Sequence, residues 1–176
     1  LLGKAGRGPA VPAEPAAAQI APGVPPASYA KPTACHFWTD FESGTRERWD
    51  GQPEVVAGGF APASKHALKL PDGKASEVWG VEYRPTERTV LRLAVWASPE
   101  ARNIQVQCWD DTVQDNVRFQ LGSKTKPGAW SLVNAPLCAF FYWEQKKGPV
   151  GNLLKSIRIS VEAGYVIVDD VAICEE

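Results

Sequence analysis

The chain has 176 residues, 44% of them hydrophobic and 22% charged, which is enough apolar material for one domain core with a tail beside it. A formal net charge of −1 offers no electrostatic footprint for nucleic acid or for an anionic membrane surface. No apolar run approaches the roughly 18 residues that a transmembrane helix requires.

In chain order, residues 1–34 come first and stand apart, with seven of the 15 Pro, ten Ala and almost no large apolar side chains. Such a segment cannot bury enough surface to offset its ordering entropy. Its prolines fix φ and remove donors, which predicts an extended or polyproline II path. It reads either as a linker to another module or as an arm that docks on a neighbouring protein subunit. Met is absent even from position 1, which fits a chain that begins after processing, with removal of a signal peptide as one route.

Residues 35–176 read as short strands from end to end. The predicted strands are 35–42, 54–57, 66–70, 77–83, 89–96, 103–109, 117–121, 129–134, 137–142, 155–162 and 165–173. They are β-branched or aromatic and are separated by turn residues such as Pro71-Asp72-Gly73, Lys126-Pro127-Gly128 and Ala163-Gly164. Leu91, Leu93 and Val95 interleave with Arg92, Ala94 and Trp96. Ile104, Val106 and Cys108 interleave with Gln105, Gln107 and Trp109. Val117, Phe119 and Leu121 interleave with Arg118 and Gln120, and Ile157, Ile159 and Val161 with Arg158, Ser160 and Glu162. Period two with one polar face marks antiparallel sheets. No long amphipathic helix is visible, and many short strands at this spacing imply an all-β sandwich or barrel.

The four cysteines, Cys35, Cys108, Cys138 and Cys174, lack zinc spacing, and there are only two His (His36 and His66) to complete such a site. Two disulfides in an oxidising compartment, hence a secreted or periplasmic protein, are expected. The alternative is four buried thiols. If Cys35 pairs with Cys174, an antiparallel register with a constant residue sum of 209 sets Asp40 opposite Asp169. Facing carboxylates repel unless a cation lies between them. With Glu42 on the same strand face as Asp40, the cluster suggests a hard cation, Ca²⁺ first.

The residues now suggest a family. Asp40-Phe41-Glu42-Ser43-Gly44-Thr45 followed by Trp49 resembles the opening of jelly-roll carbohydrate-binding modules, in the galactose-binding-domain-like β-sandwich superfamily. Ser64-Lys65-His66-Ala67-Leu68-Lys69-Leu70 resembles their next strand, although the usual leading Gly is replaced here. Pro127-Gly128-Ala129-Trp130-Ser131-Leu132-Val133 and the closing Val166-Ile167-Val168-Asp169-Asp170-Val171 complete the likeness over 38–173. The resemblance implies a jelly-roll domain over 35–176 and a structural Ca²⁺ joining first and last strands through Glu42 and Asp169 or Asp170. It also implies an aromatic groove for a polysaccharide or oligosaccharide.

Sugar rings stack their apolar faces on aromatic side chains, while planar polar groups meet the hydroxyls. Gln105, Gln107 and Trp109 share one strand face, and Arg118 and Gln120 lie on the polar face of the next strand. Arg92 and Trp96 face the same way on the preceding strand and would extend the same floor if those strands are neighbours. Trp49, Trp79 and Trp130 read as core or rim, and part of Phe140-Phe141-Tyr142-Trp143 as a loop lip. There is no G-x-S-x-G, no H-E-x-x-H and no phosphate-cradling Gly loop after a strand. Asp110/Asp111 and Asp169/Asp170 are adjacent pairs, which point to opposite strand faces and make poor acid/base couples. The expected function is therefore non-catalytic sugar binding. The alternative is a structural subunit of an extracellular or periplasmic assembly, docked through residues 1–34.

Overall fold

Side chains that alternate along short strands can be buried only if two sheets face each other, and the computed structural model has that arrangement. It describes residues 35–61, 63–143 and 148–176; the arm expected over 1–34 lies outside the described residues. The strands are β1 (Cys35–Thr39), β2 (Trp49–Gly51), β3 (Glu54–Ala57), β4 (His66–Leu70), β5 (Ala75–Tyr83) and β6 (Thr89–Ala97). They continue as β7 (Gln105–Asp110), β8 (Asp115–Gln120), β9 (Trp130–Pro136), β10 (Leu154–Ser160) and β11 (Val166–Glu175).

One sheet has six strands in the order β3-β4-β11-β6-β9, with β1 also pairing with β11; the other has five, in the order β2-β5-β10-β7-β8. Every strand pairing is antiparallel. The core lies between the sheets. Leu91, Leu93 and Val95 from one side meet Val106, Cys108, Ile157 and Ile159 from the other, all fully buried. Each such side chain contributes about 1.5–3 kcal/mol of apolar burial. Trp49, 1% exposed, closes one edge against Phe41, with ring centroids 6.1 Å apart.

The differences from the predicted strands have local causes. The first strand stops at Thr39 because Phe41 takes a left-handed φ of 55°, which breaks the ladder. The strand expected over 137–142 is instead one 3-10 turn, Leu137–Ala139, followed by a bridge at Phe141, since Pro136 lacks the N–H to continue. Strand β2 has three residues, too few to show a period.

Cys35 and Cys174 form the disulfide, across 139 residues of sequence. The second expected bridge does not exist: Cys108 and Cys138 are free thiols. Cys108 points into the core of its sheet and accepts a hydrogen bond from the Tyr83 hydroxyl at 3.6 Å, while Cys138 is half-buried on the 3-10 turn. Burial pushes the Cys108 thiol up to about 12.

The constant-sum register also fails. A bulge after Cys35 moves the pairing to Phe37 with Ile173, Trp38 with Ala172 and Thr39 with Val171. Extended by one residue, it brings Asp40 toward Asp170, not Asp169. Strand β11 is shared end to end on that side, by β4 over Val166–Val168 and by β1 over Val171–Cys174. Asp169 and Asp170 sit at this seam, where the β11–β6 ladder is also bulged and Asp170 has φ 49°.

Candidate groove on the five-stranded sheet

Residues that alternate with the core residues project from the outer face of the five-stranded sheet, and strand register lines them up in rows across it. One row runs Asp50, Glu77, Arg158, Gln107, Arg118, from β2 to β8. A second carries Ala75, Ser160, Gln105 and Gln120. A third sets Trp79 opposite Ser156 and Trp109 opposite Asn116, with the Trp109 N–H donating to Ser156 Oγ at 3.2 Å across the middle. The two tryptophans therefore lie two strand spacings apart, about 9.5 Å. Trp79 is 47% exposed and Trp109 partly exposed.

A lip rises at the β8 edge. Arg118 and Phe141 exchange backbone hydrogen bonds of 3.0 and 3.1 Å. Alternation then buries Phe140 and Tyr142 and leaves Phe141 and Trp143 outside, with Trp143 75% exposed. The guanidinium carbon of Arg118 lies over the Trp143 ring, 4.7 Å from its centroid. The lip is anchored from below. Tyr142 donates its hydroxyl to Oδ2 of the fully buried Asp110, which also accepts from Asn152 Nδ2 at 2.8 Å. Oδ1 of Asp110 accepts from the N–H groups of Thr112 and Val113 at 2.9 and 3.3 Å, fixing the β7–β8 hairpin. Burial and the Asp110 carboxylate push the Tyr142 hydroxyl well up, so it stays a donor. At the opposite end, Asp50, Glu77 and Arg158 line a hollow of about 180 Å³ with Gly51, Ala75 and Ser76.

Of the expected groove residues, Gln105, Gln107, Trp109, Arg118 and Gln120 share this face, and Gln107 Nε2 donates to Gln105 Oε1 at 3.2 Å. Arg92 and Trp96 do not belong to it. Between β6 and β7 the chain crosses to the other sheet, so neighbours in sequence face opposite sides of the molecule. There Arg92 stands opposite Asn134, and Trp96 stacks on Tyr165 with centroids 5.5 Å apart. Trp79 and Arg158 join the face although sequence reasoning did not place them there, and Ser156 lies buried in the same row as Trp79. Alternation in Glu77-Val78-Trp79 carried a signal for Trp79; the pairing of β10 with both β5 and β7 carried none.

The acidic residues gather elsewhere. Asp40, Glu42 and Asp170 line a hollow of about 190 Å³ with Trp38, Ala61, Ala63 and Ser64. Glu42 Oε1 accepts from the N–H groups of Lys65 and His66 at 2.8 and 3.3 Å, and Asp40 Oδ1 accepts from the Glu42 N–H at 3.2 Å. Asp169 is fully buried, its Oδ2 taking the Phe60 N–H and its Oδ1 the Asp170 N–H, each at 2.8 Å. Burial, with the neighbouring Asp170 carboxylate, pushes Asp169 up to about 7. The oxygen donors suit a hard cation in kind. Among the described residues, however, no three His, Cys, Asp or Glu side chains converge closely enough to grip an ion.

The two antiparallel sheets and the strand order define a jelly-roll β-sandwich of the kind found in carbohydrate-binding modules. No family model matches the sequence, and none of the curated proteins matches it. The fold is similar to the family 11 carbohydrate-binding module from Clostridium thermocellum in complex with a β-1,3-1,4-mixed-linked tetrasaccharide, with 12% identity and a TM-score of 0.54, over 76% of this chain and 92% of that one. It is similar to the CBM22-1 xylan-binding domain of Paenibacillus barcinonensis Xyn10C, with 14% identity and a TM-score of 0.51, over 84% and 97%. An exo-β-agarase shares it at 12% identity and a TM-score of 0.54, over 78% of this chain and 25% of the enzyme.

Proposed function

We propose that this chain is a non-catalytic carbohydrate-binding module that holds a polysaccharide across the outer face of its five-stranded sheet. The observation that carries the reading is the pair of solvent-reaching tryptophans, Trp79 and Trp109, on a floor of Gln107, Gln105 and Arg158. Aromatic faces there can take sugar rings while the amide and guanidinium groups meet hydroxyls. Structural neighbours that bind oligosaccharides support it. The disulfide supports secretion. The assembly-subunit alternative rested on residues 1–34 and gains no support from the described ones.

The test is isothermal titration against soluble β-glucans, xylans, mannans, galactans and uronate-bearing polysaccharides. Trp109→Ala and Trp79→Ala should each weaken binding at least tenfold, about 1.4 kcal/mol, with the thermal midpoint near wild type. No heat with any glycan sinks the proposal.

A structural Ca²⁺ belongs to the same proposal, with Asp40, Glu42, Asp170 and Asp169 as its candidate ligands, which would have to draw together to hold it. Calcium would pin the chain ends and take no part in ligand chemistry. Adding Ca²⁺ to chelator-treated protein should raise the thermal midpoint, and Asp170→Asn should abolish the increase. An unchanged midpoint in calcium and in chelator removes the ion from the account.

A further inference from the structure

The middle row of the groove is electrically divided. Asp50 and Glu77 lie toward β2, and Arg158, Gln107 and Arg118 toward β8. The ion pairs among the described residues are His36 with Glu175, Lys69 with Glu54 and Lys155 with Asp111; neither Arg118 nor Arg158 enters one. Glu77 is the cross-strand neighbour of Arg158 yet makes no ion pair with it within 4 Å. Nε of Arg118 is buried without a hydrogen-bond partner, and its guanidinium carbon lies over the Trp143 ring, 4.7 Å from the centroid.

Arg158 on β10 and Arg118 on β8 thus stand on either side of Gln107 in the row, about 9.5 Å from strand to strand. Arg presents a rigid fork of donors matched to a carboxylate, and stacking on an aromatic ring fixes its plane before the ligand arrives. A neutral hydroxyl uses one donor of such a fork and leaves the charge uncompensated. The β2 side is different: Asp50 and Glu77 accept from hydroxyls and repel an anion.

Resting on the sugar-binding reading, we infer that the ligand is a uronate-bearing polysaccharide. Its carboxylate sits over Gln107 between Arg118 and Arg158, with a neutral ring on the Trp79 side above Asp50 and Glu77. Acid groups on every ring would collide with the two carboxylates, so the fit is to a chain in which uronates alternate with neutral sugars or branch from them.

The experiment titrates the protein with glucuronoxylan, hyaluronan, alginate and polygalacturonate, each paired with its carboxyl-reduced form, at low and at moderate salt. A glycan that binds should do so at least tenfold more tightly than its reduced form, and added salt should erode the difference. The partly neutral chains should outrank the all-uronate ones. Arg118→Gln and Arg158→Gln should each weaken binding of the acid form at least tenfold more than binding of the reduced form, which removes the preference. Equal or tighter binding of the reduced form, with loss in Trp109→Ala, overturns this inference and leaves the sugar-binding reading standing. Absence of binding to every acidic and neutral member overturns both.

Discussion

The Cys35–Cys174 bridge closes a loop of 139 residues, nearly the whole domain, and its removal should be the largest single loss of stability available without touching the core. In the chain-entropy model a loop of that length contributes about 5 kcal/mol at 25 °C, by constraining the unfolded chain. Total stability for a domain is about 5–15 kcal/mol. Strand β1 keeps its pairing with β11 through Phe37, Trp38 and Thr39, so the double variant Cys35→Ser/Cys174→Ser should fold. For a domain of this size each kcal/mol moves the midpoint by about 3–4 °C, which makes the expected fall roughly 15 °C. Scanning calorimetry of the double variant, and of wild type with and without reductant, measures it. Reduced wild type should fall to the level of the variant. A fall of less than about 3 °C would refute the reasoning, because the unfolded chain would then be confined by something other than this bridge.

Trp96→Ala should leave glycan affinity unchanged and lower the midpoint, since Trp96 packs on Tyr165 in the opposite sheet; a loss of affinity equal to that of Trp109→Ala would contradict the division of faces. The thiols should separate by reactivity. Native protein treated with iodoacetamide near neutral pH should gain one label, at the half-buried Cys138, and a second at Cys108 only after unfolding, because burial keeps that thiol protonated up to about 12. Mass spectrometry of intact protein counts the labels, and rapid double labelling of the native state would contradict the burial of Cys108. Tyr142→Phe deletes the hydroxyl that reaches Asp110 under the lip. It should cost about 1–3 kcal/mol, the penalty for leaving a buried acceptor short of a donor, and an unaltered urea midpoint would show the lip to be held by other contacts.

Several features were legible in the sequence for a simple reason: they depend on near neighbours. Alternation along β6, β7, β8 and β10 settles which side chains face the core, because a strand has no other way to dispose successive residues. The motifs around Glu42, His66, Trp130 and Asp169 pointed to the jelly roll through their resemblance to a known family. A Cys35–Cys174 bridge was compatible with first and last strands lying side by side, and the structure has it. That part of the aromatic run 140–143 stays outside the core was legible too, although which residues turn inward was not.

What only tertiary structure decided depends on which strands are neighbours and on single-residue irregularities. Arg92 and Trp96 carry the right alternation for the groove, but β6 belongs to the other sheet, and period two does not say which sheet a strand joins. One bulged residue after Cys35 shifted the register so that Phe37 pairs with Ile173 and Thr39 with Val171, a slip that no hydrophobic pattern records. Cys108 alternates inward, and spacing alone could not tell a bridged sulfur from a buried thiol beside Tyr83. The Arg158–Gln107–Arg118 row is assembled from β10, β7 and β8, whose order in the sheet differs from their order in the chain. Alternation is a property of each strand by itself; the groove is a property of strands brought together, and that juxtaposition exists only once the chain has folded.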